Sequence, residues 1–160
     1  MKLLSMSWAL AALVPVHTAS AQTAAAPAAA AADFSTTPAA PGSWVYQPIT
    51  GGSLARFLDT GAIARVVLQC NRVSRKVTIA HTSAAPSASL FVWTSTLSRT
   101  LPARFEQNAM RVVAELSATD PLLDAIAFSR GRFAVQMAGS DALVVTSAPE
   151  PARAIEDCRT

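Results

Sequence analysis

Charged residues are scarce in this chain, at 14% of its 160 residues, where an average soluble protein has about 25%. Aromatic residues make up only 6%, which argues against a surface built to stack on nucleic-acid bases. No apolar run reaches the roughly 18 residues that a membrane-spanning helix requires. These shortages exclude a charged disordered polymer and a coiled coil rich in Glu and Lys. We predict no nucleic-acid partner, and no transmembrane segment in the chain that remains once the export signal described below is cleaved.

Histidine and the glycine-rich motifs of enzymes are also in short supply. Beyond residue 21 the only histidine is His81, and the sequence has no HExxH zinc motif, no Gly-rich phosphate loop, no GxGxxG and no GxSxG nucleophile turn. A structural zinc site needs four ligands, which one histidine and two cysteines cannot supply. We therefore predict no metal, no cofactor and no catalytic residue, and interpret His81 as a structural histidine at the end of an apolar strand.

Residues 1–21 have the pattern of an export signal. Lys2 gives a positive start, the stretch from Leu3 to Val16 is mostly apolar, and Ala19-Ser20-Ala21 forms an A-x-A cleavage site. The prediction is a mature chain that begins at Gln22 and is periplasmic or secreted.

Residues 22–42 are rich in alanine and proline, with ten alanines and three prolines in 21 positions. The prolines interrupt the helix that alanine alone would favour, and only Phe34 is suited to a core. We predict a disordered linker here, followed by a single domain over residues 43–160. That domain carries twelve basic and nine acidic residues, a net charge of +3, which is low for a nucleic-acid binder.

Cys70 and Cys158 are the only cysteines. In an oxidising compartment a lone pair of thiols tends to form a disulfide, whereas a redox pair is typically spaced C-x-x-C. Cys70 shares one face of an alternating segment with Val66 and Leu68, so its side chain is expected to point inward. The sequence therefore predicts a buried disulfide that ties a terminal helix to a central strand.

Most of residues 43–116 has strand character, because β-branched and aromatic residues alternate with polar ones between turn signals. The predicted strands are Trp44–Gln47, which stops at Pro48, Leu54–Leu58, Ala64–Cys70, Lys76–His81, Ala88–Thr94, Leu97–Leu101 and Met110–Leu116. Pro102 is expected to end the sixth of these strands.

Helical spacing appears only in the C-terminal part. Asp120-Pro121 is an N-cap followed by proline at the first helical position, and Gly131 is interpreted as the stop. A hairpin of Phe133–Met137 and Leu143–Thr146 follows, and then a capping box at Ser147 opens a helix over about 149–158. That helix is expected to place Ile155 with Cys158 and to pair Arg153 with Asp157. We predict a mainly β fold, a small antiparallel β-sandwich or curled sheet closed by two short C-terminal helices.

Two clusters are candidates for binding. Arg72, Arg75 and Lys76 lie at a predicted hairpin turn, where they are a possible contact for anionic ligands or a solvated turn. Trp44, Tyr46 and Trp93 are suited either to a ligand-stacking platform or, as we prefer, to core packing.

From Asp120 to Cys158 the chain runs helix, Gly131, paired strands, a Ser/Pro turn and Ala-Arg-Ala-Ile-Glu-Asp-Cys. In element order and a few apolar positions this quarter of the chain resembles the C-terminal part of two families of exported bacterial proteins. They are the invasion-associated locus B family and the VasI-like type VI secretion-associated family. The resemblance implies a periplasmic β-sandwich without catalytic residues. The chain also resembles other exported proteins of Gram-negative bacteria, which implies no particular function.

The expected function is an exported, non-enzymatic domain that binds or supports an unknown envelope component or protein. Two alternatives stay open. One is a small periplasmic hydrolase that uses His81 beside a serine and a carboxylate. The other is a secreted enzyme inhibitor that presents an exposed, rigid loop such as Thr82 to Ser87.

Overall fold

A computed structural model describes residues 33–160. The predicted signal at residues 1–21 and the first part of the predicted linker, residues 22–32, lie outside the described residues. Within the described range ten strands form two antiparallel sheets, and two helices follow late in the chain. The predicted mainly β fold with two C-terminal helices is confirmed. Neither of these helices has the length and apolar character needed to cross a membrane.

The larger sheet has six strands in the order β1-β2-β3-β4-β8-β7. Its strands are β1 (Gly42–Ile49), β2 (Gly52–Asp59), β3 (Ala64–Asn71), β4 (Lys76–Thr82), β7 (Arg104–Glu106) and β8 (Arg111–Ser117). The smaller sheet has the order β10-β9-β5-β6. Its strands are β5 (Ser89–Trp93), β6 (Ser98–Pro102), β9 (Arg132–Met137) and β10 (Leu143–Thr146). As predicted, Pro102 ends its strand, whereas the short strand β7 was not predicted.

The core lies between the two sheets, where the alternating apolar residues of each strand meet. Phe57 and Leu68 from the larger sheet and Val92 and Phe133 from the smaller one are fully buried. Trp44 joins them, with its ring centroid 5.8 Å from Phe133 in a stacked arrangement and 5.6 Å from Phe57 edge to face. Because both sheets contribute to one continuous cluster, the fold is a two-layer sandwich rather than a lone curled sheet.

Helix α1 (Pro121–Ala127) begins as the sequence predicts. The Asp120 side chain accepts a hydrogen bond from the Leu122 backbone N–H at 2.8 Å, and Pro121 occupies the first helical position. The same carboxylate accepts two hydrogen bonds of 2.7 Å from Arg99 on β6. Asp120 therefore fixes the start of the helix and also ties it to the smaller sheet.

Removing this cap tests how much the Asp120 carboxylate stabilises the domain. Asp120→Ala is expected to lower the free energy of unfolding by about 1–2 kcal/mol, because it leaves the first helical N–H groups without their acceptor. Asp120→Asn keeps the acceptor for the helix and loses the charge and one of the two hydrogen bonds from Arg99, so it should cost less than half as much. Urea denaturation of the two variants gives both values. Equal losses would assign the effect to the ion pair with Arg99 and contradict the capping account.

Helix α2 (Pro149–Glu156) lies against the larger sheet, and a turn after it carries Cys158. Cys70 on β3 and Cys158 form a disulfide with a Cα–Cα distance of 5.3 Å, and both residues are almost fully buried. Ile155 is also fully buried. The predicted disulfide and its role in tying the terminal helix to a central strand are confirmed.

Three local predictions were wrong. The first strand does not stop at Pro48 but runs on to Ile49, because β1 is an edge strand where a missing N–H costs no ladder bond. Helix α2 starts one residue too late for a capping box at Ser147, so its N-cap is Ala148 and no side chain caps it. Helix α1 ends at Ala127, before Gly131, which instead adopts a φ of 76° in the turn that leads to β9.

Residues 33–41, here called the N-terminal strap, lie against the outer face of the smaller sheet. Phe34 packs edge to face on Trp93 at 6.0 Å, and the Ala40 N–H donates to the Val144 carbonyl at 2.8 Å. Arg132 also donates to the Thr37 carbonyl. The strap covers the outer apolar cluster of this sheet and the open edge of β10.

Candidate functional site

The predicted basic turn brings Arg72, Arg75 and Lys76 together on the surface, but each has an intramolecular partner. Arg72 Nε donates to the Asp157 carbonyl at 3.1 Å, and Arg75 donates to the Arg159 carbonyl at 2.8 Å. Lys76 Nζ lies 3.4 Å from the Glu115 carboxylate. These contacts hold the chain around the disulfide in place. The role of the three residues in binding an anionic ligand stays a prediction.

Three surface depressions have similar volumes of about 400–460 Å³. One is lined only by the consecutive residues 106–109, so no groups from distant parts of the chain converge there. The other two are formed by several elements. We name them the histidine cleft and the edge groove.

The histidine cleft contains the residue on which the hydrolase alternative depends. It is lined by residues of β3, the end of β4 and the β9–β10 loop, namely Arg65, His81, Thr82, Ser83, Ala84, Met137, Ser140, Asp141, Ala142 and Leu143. His81 is 5% exposed, and its Nδ1 lies 2.8 Å from the Thr82 carbonyl oxygen. Because a carbonyl only accepts, Nδ1 carries the proton and Nε2 is the acceptor in the neutral ring.

The serine hydroxyls of the histidine cleft are engaged elsewhere. Ser83 donates to the Ala85 carbonyl at 2.7 Å, and Ser140 donates to the Met137 carbonyl at 3.1 Å. Among residues 33–160 no hydrogen bond joins His81 to a serine or to a carboxylate. The same range holds no group of three or more His, Cys, Asp or Glu arranged to bind a metal. A nucleophile needs a base within hydrogen-bond reach, and the cleft does not pair one with His81.

Burial lowers the pKa of His81 below its ordinary value of 6.5, the Thr82 carbonyl opposes this shift, and the positive charge of Arg65 adds to it. The unfolded chain therefore binds a proton at a pH where the folded chain does not, so stability falls as the pH drops below about 6.5. Each unit of difference in pKa is worth about 1.4 kcal/mol.

Comparing the wild type with His81→Asn isolates this effect. Urea unfolding at about pH 7.5 and about pH 5.5 should show a larger loss of stability on acidification for the wild type than for the variant. Equal losses would mean that His81 is protonated in the folded state as readily as in the unfolded one.

The edge groove lies between β1 and the start of α2. Its lining residues are Trp44, Val45, Tyr46, Pro149, Glu150 and Arg153, and its volume is about 440 Å³. The Trp44 indole N–H donates to the Thr146 carbonyl at 2.8 Å, which fixes the ring at the floor of the groove. The Arg153 guanidinium lies over the Tyr46 ring at 4.0 Å from its centroid. The groove thus combines rigid aromatic surface with one oriented cation.

Arg153 does not form the ion pair with Asp157 that the helical spacing predicted. Asp157 instead accepts a 2.6 Å hydrogen bond from the Tyr46 hydroxyl and pairs with Arg72 at 3.6 Å. Burial alone would raise the pKa of the Asp157 carboxyl, but the Tyr46 hydroxyl and the charges of Arg72 and Arg153 hold it below its usual range. Asp157 keeps helical backbone angles and its N–H still donates to the Arg153 carbonyl at 3.0 Å, so the ion pair is lost because Tyr46 and Arg72 engage the Asp157 carboxylate while Arg153 stacks on Tyr46.

The predicted aromatic trio is divided between two places. Trp44 and Trp93 are 7% and 8% exposed, which confirms core packing, whereas Tyr46 is half-buried and lines the edge groove. The groove itself was missed by the sequence analysis. Trp44 and Thr146 are 102 positions apart, so no local pattern could place them together.

The loop named for the inhibitor alternative has an exposed tip at Ala84, Ala85 and Pro86. Ser83 closes its base, since the hydroxyl both donates to the Ala85 carbonyl and accepts from the Ala85 N–H at 3.0 Å. The inhibitor alternative stays a prediction.

Comparison with known proteins adds no family to this description. No protein-family model matches the chain, and no match is found among curated proteins or solved structures. The resemblance of residues 120–158 to the invasion-associated locus B and VasI-like families therefore stays a prediction.

Proposed function

We propose that this protein is an exported, non-enzymatic binding domain of the periplasm or the extracellular space. The disulfide indicates an oxidising, extracytoplasmic environment, and the signal pattern of residues 1–21 supports export. The observation that carries the proposal is the edge groove, because it is the depression in which aromatic side chains, an oriented cation and an edge strand meet.

Binding through the edge groove can be tested with a photo-reactive residue in the native envelope. Placed at Val45, on the groove, it should give discrete cross-linked adducts. Placed at Val73, which is 90% exposed on the basic turn, it should give none. Val45 is only 37% exposed, so nonspecific cross-linking would favour Val73 over Val45. Adducts from Val73 alone, or from neither position, would contradict the proposal.

The non-enzymatic part of the proposal is tested against the hydrolase alternative. The purified wild type and His81→Ala are both expected to hydrolyse p-nitrophenyl acetate and p-nitrophenyl phosphate no faster than buffer alone, since no serine hydroxyl among residues 33–160 bonds to His81. Turnover by the wild type that disappears in His81→Ala would overturn this assignment and would place an active site in the histidine cleft.

A further inference from the structure

Building on the proposed function, we propose that β1 takes up an extended peptide segment of another protein as an added strand. In this complex a carboxylate of the peptide contacts Arg153. The affinity comes from main-chain hydrogen bonds to the open edge, and the specificity comes from the edge groove alongside it.

Strand β1 differs from the other sheet edges of the described domain. Strand β7 has only three residues and carries Arg104 and Glu106, and β6 has five residues and carries Arg99 and Pro102. The edge of β10 is covered by the N-terminal strap. Short length, charge, proline and covering segments are the usual ways of protecting an edge. By contrast, β1 has eight residues, GSWVYQPI, none of them charged, and its one proline, Pro48, lies at the second-last position and leaves Trp44 and Tyr46 unprotected.

The outward-facing groups of β1 can be assigned from Pro48. Strand pairing continues past Pro48 to Ile49. The Pro48 nitrogen, which carries no hydrogen, therefore faces away from β2. Because orientation alternates along a strand, the N–H groups of Tyr46 and Trp44 also face the open edge. Among residues 33–160, no backbone or side-chain hydrogen bond other than the pairing with β2 reaches the main chain of β1. The edge therefore offers free donors and acceptors to an added strand.

The edge groove lies where alternate side chains of such a strand would point. Trp44 and Tyr46 face the layer that contains α2, and Pro149 and Arg153 at the start of α2 form the opposite wall. One apolar side chain of the peptide fits between Tyr46 and Pro149. The next residue on the same face reaches the Arg153 guanidinium, two positions along the strand.

The charge of Arg153 selects this occupant over a second copy of the chain. No carboxylate among the described residues forms an ion pair with Arg153, and its stacking on Tyr46 holds the guanidinium in place. A β1 strand from a second copy carries no charge and would leave Arg153 without a partner. A peptide carboxylate supplies that partner, although it must pass Glu150 on the same wall.

The test uses the full mature chain and three synthetic octapeptides, acetyl-Ser-Thr-Val-Thr-Xaa-Thr-Val-Ser-amide, in which Xaa is Glu, Gln or Lys and shares a face with the two Val residues. The Glu peptide is expected to bind about tenfold more tightly than the Lys peptide by titration calorimetry. Hydrogen exchange measured by NMR should slow at the amides of Tyr46 and Trp44 on binding. The amides of Val45 and Gln47, which face β2, should change little.

Three variants separate the charge effect from general damage. Arg153→Ala should remove the preference for Glu over Lys, whereas Arg104→Ala on the opposite edge of the same sheet should retain it. Glu150→Gln should tighten binding of the Glu peptide by a factor of a few, because it removes the like charge from the wall. Wild-type stability in Arg153→Ala, checked by thermal melting, shows that the groove is still folded.

Several outcomes overturn the inference. One is the absence of binding by all three peptides, and another is binding without slower exchange at Tyr46 and Trp44. A third is a dimer of the free chain in light scattering whose formation slows exchange at these amides, which would make a second copy the occupant. None of these results decides whether the protein is an enzyme, since the turnover assay with His81→Ala tests that separately.

Discussion

Replacing Cys70 and Cys158 together with alanine is expected to lower the free energy of unfolding by about 4–5 kcal/mol. The bond joins residues 88 positions apart, and in the chain-entropy model a loop of this length restricts the unfolded chain by that amount. A domain of this size has a total stability of about 5–15 kcal/mol, so the double variant should lose at least about a quarter of its stability.

Urea denaturation of the wild type, the wild type with reductant, and the double variant measures this effect. The reduced wild type controls for the lost sulfur atoms, and it should be destabilised nearly as much as the double variant. A loss below about 1 kcal/mol in both would show that α2 docks without help from the disulfide.

Phe133→Ala should lower the free energy of unfolding by about 3–5 kcal/mol, the range for truncating a buried phenylalanine. Phe133 is fully buried between the sheets and stacks on Trp44 at 5.8 Å. The truncation opens a cavity at the point where both sheets and the floor of the edge groove meet. A shift in Trp44 fluorescence should accompany the loss of stability.

The matched control is Phe128→Ala, the same substitution at a phenylalanine that is 76% exposed. It should change stability by no more than about 0.5 kcal/mol. Similar losses in the two variants would contradict the placement of Phe133 in a shared core between the sheets.

The sequence predicted those parts of the fold that depend on neighbouring residues. Alternation of Val66, Leu68 and Cys70 gave the inward face of β3, and that face carries the confirmed disulfide. The N-cap at Asp120 followed from a local preference that tertiary contacts did not override. These features are set by the period of the strand and by the geometry of the first helical turn.

The edge groove depends on contacts between distant segments. Tyr46 meets Asp157 across 111 positions, and no propensity or spacing rule reports such a contact. The same reason explains the wrong ion pair. The i,i+4 rule predicted that Arg153 would meet Asp157, but it could not include Tyr46, which competes for both side chains.

Whether a strand lies at the edge of a sheet is a second property that local sequence patterns do not predict. Proline breaks a central strand but is tolerated in an edge strand. Predicting whether β1 continues past Pro48 therefore required the strand order. The N-terminal strap is similar. Phe34 was recognised as suited to a core, but its partner Trp93 lies 59 positions later, on a strand whose outer face is apolar.

Intact mass spectrometry of the protein purified from its native host tests the central claim of export followed by disulfide closure. The account predicts a single species that begins at Gln22 and is two hydrogen atoms lighter than its reduced form. A species that retains residues 1–21 and has two alkylatable thiols would contradict the assigned compartment, and with it the proposed function.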